Sequence, residues 1–174
     1  MRRREQQQQR AAAFEKVVHH YEGRLLRYAT SIVHNADLAQ DVVQEVFIQL
    51  FRKWREAFEP SVALSSWLYR TTHNRAVDVI RKYERRKRVE QEHQDISPDA
   101  IVLPLMGEDD SHAQRVAQAL AALPSRDRAL IMLKIYEEKS YKEISAITGL
   151  SVGNVGYILH HAMRKLADAL GREE

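Results

Sequence analysis

Apolar positions along this 174-residue chain recur at steps of three and four, the period of helices that bury one stripe. Phe14, Val17, Val18, Tyr21, Leu25, Tyr28, Ala29 and Ile32 mark a first helix, which stops at His34-Asn35. Asn35 or Asp37 caps a second, in which Leu38, Val42, Val46, Leu50 and Trp54 repeat every four residues beside Val43, Phe47 and Phe51. The period lapses from Glu56 to Leu64 around Pro60. Ser65 or Ser66 is then expected to cap a third helix from Trp67, with Trp67, Leu68, Ala76, Val79, Ile80 and Tyr83 toward a core.

Between Gln91 and His112 no helical period is sustained, and Pro98, Pro104, Gly107 and acids such as Asp95, Asp99, Glu108, Asp109 and Asp110 read as an acidic flexible linker. Periodicity returns with Val116, Ala119, Leu120 and Leu123, then, after Pro124-Ser125, with Ala129, Leu130, Met132, Leu133 and Tyr136. The stretch from Ser140 to Leu166 reads as a helix-turn-helix. Ile144 and Ile147 face inward from a short helix, Gly149 supplies a left-handed turn, and Ser151 caps a longer helix. That second helix has its apolar stripe on Val155, Ile158, Leu159, Ala162 and Leu166. The expected class is all-α: a tail over 1–13, one small helical domain over 14–90, a linker over 91–112 and a second domain over 113–170.

Composition narrows the chemistry. The 44% apolar content supports real cores, and the absence of Cys excludes disulfides, a thiol nucleophile and cysteine zinc sites. The net charge is only +3 with a pI near 9.2, but the basic residues cluster, and nucleic-acid affinity follows local basic faces. No apolar run approaches the roughly 20 residues that span a bilayer, and the basic, Gln-rich start lacks a signal-peptide core, so a cytoplasmic protein without membrane insertion is expected. Glycine-rich phosphate loops, nucleophile elbows and HExxH motifs are missing. His19-His20 and His160-His161 are adjacent pairs that diverge by about 100° on a helix, so no metal site and no cofactor is expected. A non-enzyme follows as the leading class.

Three polar faces remain to be explained. On the second helix Asp41, Gln44 and Glu45 are neighbours, with the apolar Ile48 one turn on. A solvated surface with one stray aliphatic and a partner-binding face both fit that pattern. On the third helix Arg70, Asn74, Arg81, Arg85 and Arg88 form a stripe. With Arg75, Lys82, Arg86 and Lys87 it would neutralise several phosphates, or simply solvate a helix end. The last helix carries Asn154, Tyr157, His160, His161, Arg164 and Lys165 opposite its apolar stripe, groups suited to a DNA major groove.

Taken together, DLAQDVVQEVFIQLFRKW, SSWLYRTTHNRAVDVIRKYERRKR and the segment from ALAALPSRDRALIM to the helix-turn-helix resemble, in that order, the extracytoplasmic-function (ECF) group of bacterial RNA polymerase sigma factors. The resemblance spans nearly everything after Ala13. It implies that 14–90 is sigma region 2, that 113–170 is sigma region 4, and that the partners are core RNA polymerase, promoter DNA and, from the resemblance alone, an anti-sigma factor. By position it assigns core-polymerase binding to Asp41, Gln44, Glu45 and Ile48. It assigns minus-ten contacts to the loop and helix holding Phe58, Leu64, Ser65, Ser66, Trp67, Arg70, Thr71, Asn74, Arg75, Arg81 and Lys82. An extruded base there needs a stacking and hydrogen-bonding pocket. Minus-thirty-five contacts fall on Ser151, Asn154, Tyr157, His160, His161 and Arg164, with Arg126, Lys142 and Lys165 on phosphates. Where the family commonly has Lys or Arg, this chain has Gly156, Tyr157 and Ile158, which implies weaker phosphate anchoring and a different base preference. The competing readings are a stand-alone helix-turn-helix regulator, which would bind duplex operators without polymerase, and a helical interaction module with no salt-dependent DNA affinity.

Overall fold

The computed structural model describes residues 2–89 and 111–171. The expected linker therefore lies almost wholly outside the described residues. Seven α-helices are present there: α1 (Arg2–Val33), α2 (Ala36–Lys53), α3 (Val62–Val89), α4 (Ser111–Ala121), α5 (Ser125–Ile131), α6 (Tyr141–Thr148) and α7 (Val152–Gly171), with a π-helical segment, Met132–Tyr136, continuing α5. Among the described residues no helix is long and apolar enough to cross a membrane.

The boundaries follow local chemistry. Asn35 caps α2 by accepting from the Leu38 N–H at 2.9 Å, and His34 before it makes the turn with φ of 58°. The third helix departs from expectation. It begins at Val62, and its cap is Ser61, whose Oγ accepts from the Leu64 N–H at 3.1 Å. Ser65 and Ser66 lie inside the helix, because Pro60-Ser61 already supplies a fixed φ followed by a capping hydroxyl. The basic start of the chain is helical and continuous with α1 from Arg2. Two residues expected in the linker, Ser111 and His112, open α4.

Helices α1, α2 and α3 pack on one another around Val17, Leu25, Tyr28, Val46, Leu50 and Leu68, all fully or nearly fully buried. Helices α4, α5 and α6 pack on α7 around Leu130, Leu133, Ile144, Val155 and Leu159. Each such side chain contributes about 1.5–3 kcal/mol relative to exposure. The two groups also touch: α1 lies against α5 and the π-helical segment, and α3 lies against α6.

That junction is polar. Arg128 of α5 is only 1% exposed, and its guanidinium reaches both ring nitrogens of His34 at 3.1 and 3.2 Å and the Leu123 carbonyl at 2.8 Å. Arg24 of α1 pairs with buried Glu137 at 2.8 Å. Lys139 donates to the Ser65 hydroxyl at 2.8 Å and sits over the Tyr69 ring.

A guanidinium stays charged and only donates, so His34 can accept from it only while at least one ring nitrogen is unprotonated. Burial, and then the adjacent Arg128 charge, lower the His34 pKa from its ordinary 6.5 to about 4; burial also lowers His73. The packed state thus binds fewer protons than the separated or unfolded one, so acid weakens it. The packing is unpenalised above pH 6.5 and loses stability progressively as pH falls from there toward about 4. Denaturant midpoints should fall across that window. In His34→Asn, which suits the left-handed backbone, the decline should be shallower, with the His73 share left; an identical slope in the variant would remove His34 from the account.

Candidate nucleic-acid interface

The face on α2 is assembled as its spacing requires. Val42, Val43, Val46 and Phe47 turn inward, which leaves Asp41, Gln44 and Glu45 exposed beside Ile48, itself 49% exposed. The carboxylate of Glu45 is ion-paired with Arg75 of α3. A residue expected on the polymerase side and one expected on the DNA side are therefore tied to each other.

On α3, Trp67, Arg70, Thr71 and Asn74 stand at i, i+3, i+4 and i+7 and share one face. Trp67 is half-buried, with its ring edge-to-face against Trp54 at 6.1 Å, while Arg70 and Asn74 are exposed. Thr71 donates back to the Trp67 carbonyl at 2.7 Å, so its hydroxyl proton is engaged within the helix. Arg81 and Lys82 extend the exposed basic stripe with Arg85 and Arg86; the side chains of Lys87 and Arg88 lie outside those described. Three expected contacts are placed differently. Phe58 and Leu64 are 7% and 0% exposed and belong to the core, because the loop folds the Phe58 ring inward and Leu64 lies on the buried side of α3. Ser65 is buried beneath Lys139.

The helix-turn-helix is built by its termini. Ser140 and Glu143 form a reciprocal capping box at the start of α6, Gly149 ends it in the left-handed region at φ 76°, and Ser151 Oγ accepts from the Asn154 N–H at 3.2 Å. On α7 the buried stripe of Val155, Ile158, Leu159 and Ala162 leaves Asn154, Tyr157, His160 and Arg164 outward. Tyr157 is 67% exposed, and its ring contacts half-buried His161 at 4.3 Å. Ser151, Arg126, Lys142 and Lys165 are exposed around the same domain, with Arg126 also bonded to Asp127 at 3.3 Å. A Cβ on Gly156 would stand 3.4 Å from the Tyr141 ring of α6, at the near edge of ordinary van der Waals contact.

Between the two helical groups lies a cleft of about 270 Å³ lined by Ile32, Val77, Ile80 and Leu130 together with Arg81 and Arg126. An expected minus-ten cation and an expected phosphate contact thus border one space. Arg128, Glu137 and Arg10 escaped sequence reasoning. The first two sit in a locally charged stretch whose buried partners come from another part of the chain, and no spacing rule reveals them.

Family comparison covers both helical groups. The family model described as Sigma-70 region 2 matches residues 17–86, and that described as Sigma-70, region 4 matches residues 113–166. The chain belongs to the sigma-70 family. It groups with ECF members: it is 31% identical to the ECF RNA polymerase sigma factor SigE of Mycolicibacterium smegmatis, over 91% of this chain and 62% of that protein. It is 28% identical to the RNA polymerase sigma factor CarQ of Myxococcus xanthus, over 92% and 91%. The fold of this sigma-70 chain is similar to that of the sigma factor RpoE solved with the anti-sigma factor NepR from Bartonella quintana, with a TM-score of 0.65, 22% identity and coverage of 98% and 99%. It is similar also to that of CnrH solved with the cytosolic domain of CnrY, at a TM-score of 0.60 and 22% identity.

Within region 4 of this sigma-70 chain, the two glycines of α7 differ in surroundings. A Cβ on Gly153 meets nothing within 4 Å. Gly153→Ala should therefore raise the thermal midpoint, by up to about 1 kcal/mol of stability. Gly156→Ala should gain less because it must accommodate Tyr141. Equal gains for the two would remove the packing role of Gly156.

Proposed function

We propose that this protein is a promoter-specificity subunit of bacterial RNA polymerase, active in the cytoplasm and without catalysis of its own. The observation that carries this reading is the coexistence, in one sigma-70 chain, of an exposed acidic and apolar face on α2, an exposed basic and aromatic face on α3, and an outward polar face on α7. In this reading Asp41, Gln44, Glu45 and Ile48 dock on core polymerase, an apolar contact rimmed by charge-assisted hydrogen bonds. Trp67, Arg70, Thr71 and Asn74 receive an unstacked minus-ten base, with Arg75, Arg81 and Lys82 on the backbone. Ser151, Asn154, Tyr157, His160, His161 and Arg164 read the minus-thirty-five element, and Arg126, Lys142 and Lys165 hold its phosphates.

The two elements lie more than two turns of duplex apart, upward of roughly 70 Å at ~34 Å per turn. Contacts such as Arg128 with His34 hold the two domains side by side, so they separate when both elements are engaged. An anti-sigma factor that favours the packed arrangement would inhibit by population shift alone.

Run-off transcription with purified core enzyme tests the reading. Promoter-dependent initiation is expected on part of a genome-wide template set, and none on any template would end it. Asp41→Arg with Glu45→Arg should weaken core binding at least about a hundredfold, roughly 2.8 kcal/mol, with unchanged helical circular dichroism. An unchanged affinity would remove the α2 face from the interface.

A further inference from the structure

The match to sigma-70 region 2 begins at residue 17, and α1 runs fifteen residues ahead of it, from Arg2. Two side chains of that extension close over the carboxyl end of α2. A helix leaves its last carbonyls without partners inside the helix. Here two of them, on Phe51 and Trp54, accept from one Nη2 of Arg10 at 3.3 and 3.0 Å. The same guanidinium lies over the Phe58 ring, 4.7 Å from its centroid, and near the Phe51 ring at 5.7 Å. Phe14, one turn further along, meets Phe51 and Phe58 edge-on at 5.0 and 5.3 Å, and those two rings stack at 6.2 Å. A cation at the negative end of a helix is also favoured by the helix dipole.

This cluster fixes the chain between α2 and α3, which has no regular structure from Trp54 to Ser61. Phe58 is the one residue between Arg55 and Ser61 that is buried, and its ring is held by Arg10 and Phe14. At the near end, the Trp54 carbonyl is held by Arg10, its indole N–H donates to the Ala57 carbonyl at 3.3 Å, and its ring meets Trp67. The connection is continuous from Arg10 through Trp54 to Trp67.

We propose that Arg10 is a positioning residue for minus-ten recognition, fixing the loop before α3 and, through Trp54, the ring of Trp67. This rests on the reading above that Trp67 and its neighbours receive an unstacked promoter base. Arg10 touches no DNA in this role. It sets how sharply the pocket is defined, and with it the discrimination among bases, while core docking on α2 proceeds without it. A general attraction of the basic helix for DNA makes the opposite forecast, since exposed Arg4 would then matter as much.

The test uses full-length protein in reconstituted holoenzyme, selecting from fork-junction DNA randomised in the single-stranded minus-ten segment. Base preference at each position and core affinity are read for wild type, Arg10→Gln, Arg10→Lys and Arg4→Gln. Arg10→Gln should lower preference at the unstacked position roughly two- to tenfold, the weight of one or two modest contacts, with core affinity unchanged. Arg10→Lys, which keeps the charge and one carbonyl contact, should recover part of the loss, and Arg4→Gln should match wild type. Should Arg10→Gln fold poorly, Phe51→Leu takes one ring from the cluster, leaves both carbonyl bonds, and must lower the same preference by a smaller factor. Retained preference in Arg10→Gln, or an equal loss in Arg4→Gln, overturns the proposal while the minus-ten assignment stands. Absence of any preference in wild type overturns both.

Discussion

A guanidinium cannot shed its proton to escape burial, and Arg128 is almost completely covered. At the contact between the two domains, its compensation comes from both sides. One amino group bonds the Leu123 carbonyl, which belongs to the same domain, and both reach the imidazole of His34, which belongs to the other. The Nε has no partner. Such a site is costly if the partner domain moves only slightly, because the charge would then be buried with less compensation. It is tolerable if the domains separate fully, because the guanidinium then regains water on the side His34 now covers. A buried charge at a contact thus disfavours intermediate arrangements and leaves two discrete ones, packed and apart.

Other polar pairs accompany the Arg128 contact, beside the apolar cleft lined by Ile32, Val77, Ile80 and Leu130. Arg24 with Glu137 and Lys139 with Ser65 are groups that water can satisfy in the separated state, unlike the leucines and valines inside each domain. Each domain also packs aliphatic side chains among its own helices, Val46, Leu50 and Leu68 in one and Leu130, Val155 and Leu159 in the other. The π-helical turn at Met132–Tyr136 serves this junction: the Glu137 N–H bonds the Met132 carbonyl and the Lys139 N–H bonds the Leu133 carbonyl, and the widened turn delivers Glu137 and Lys139 to α1 and α3. Sequestering Ser65 beneath Lys139 then follows from backbone geometry.

Much of the fold was legible because it rests on local rules. The 3.6-residue period marked the inward faces of α1, α2, α5 and α7, Asn35 announced the start of α2, and Gly149 announced the turn of the helix-turn-helix. The early start of α3 was legible too, in Pro60-Ser61, but Trp67 and the paired serines gave a louder signal further on. The candidate faces on α2 and α7 were readable for the same reason: an exposed stripe is the complement of a buried one. What the sequence hid is what depends on partners distant along the chain. Arg128 lies ninety-four residues from His34, and Glu137 lies one hundred and thirteen from Arg24. Phe58 and Leu64, placed by family position at the minus-ten DNA, lie in the core: Phe58 under Arg10 and Phe14, Leu64 on the inner side of α3.

On α7 the outward face offers Asn154, Tyr157, His160 and Arg164, with His161 half-buried beside them. A Cβ on Gly156 would lie 3.4 Å from the Tyr141 ring, so α6 and α7 meet closely there. In the proposed reading the phosphate contacts of α7 are joined by the exposed cations Arg81, Lys82, Arg85 and Arg86 of α3. Cations alone hold the backbone without reading sequence. Selectivity in this chain then depends on how rigidly the Trp54, Phe58 and Trp67 rings are held beside that basic stripe, and the rigidity originates in the turn of α1 that carries Arg10 and Phe14.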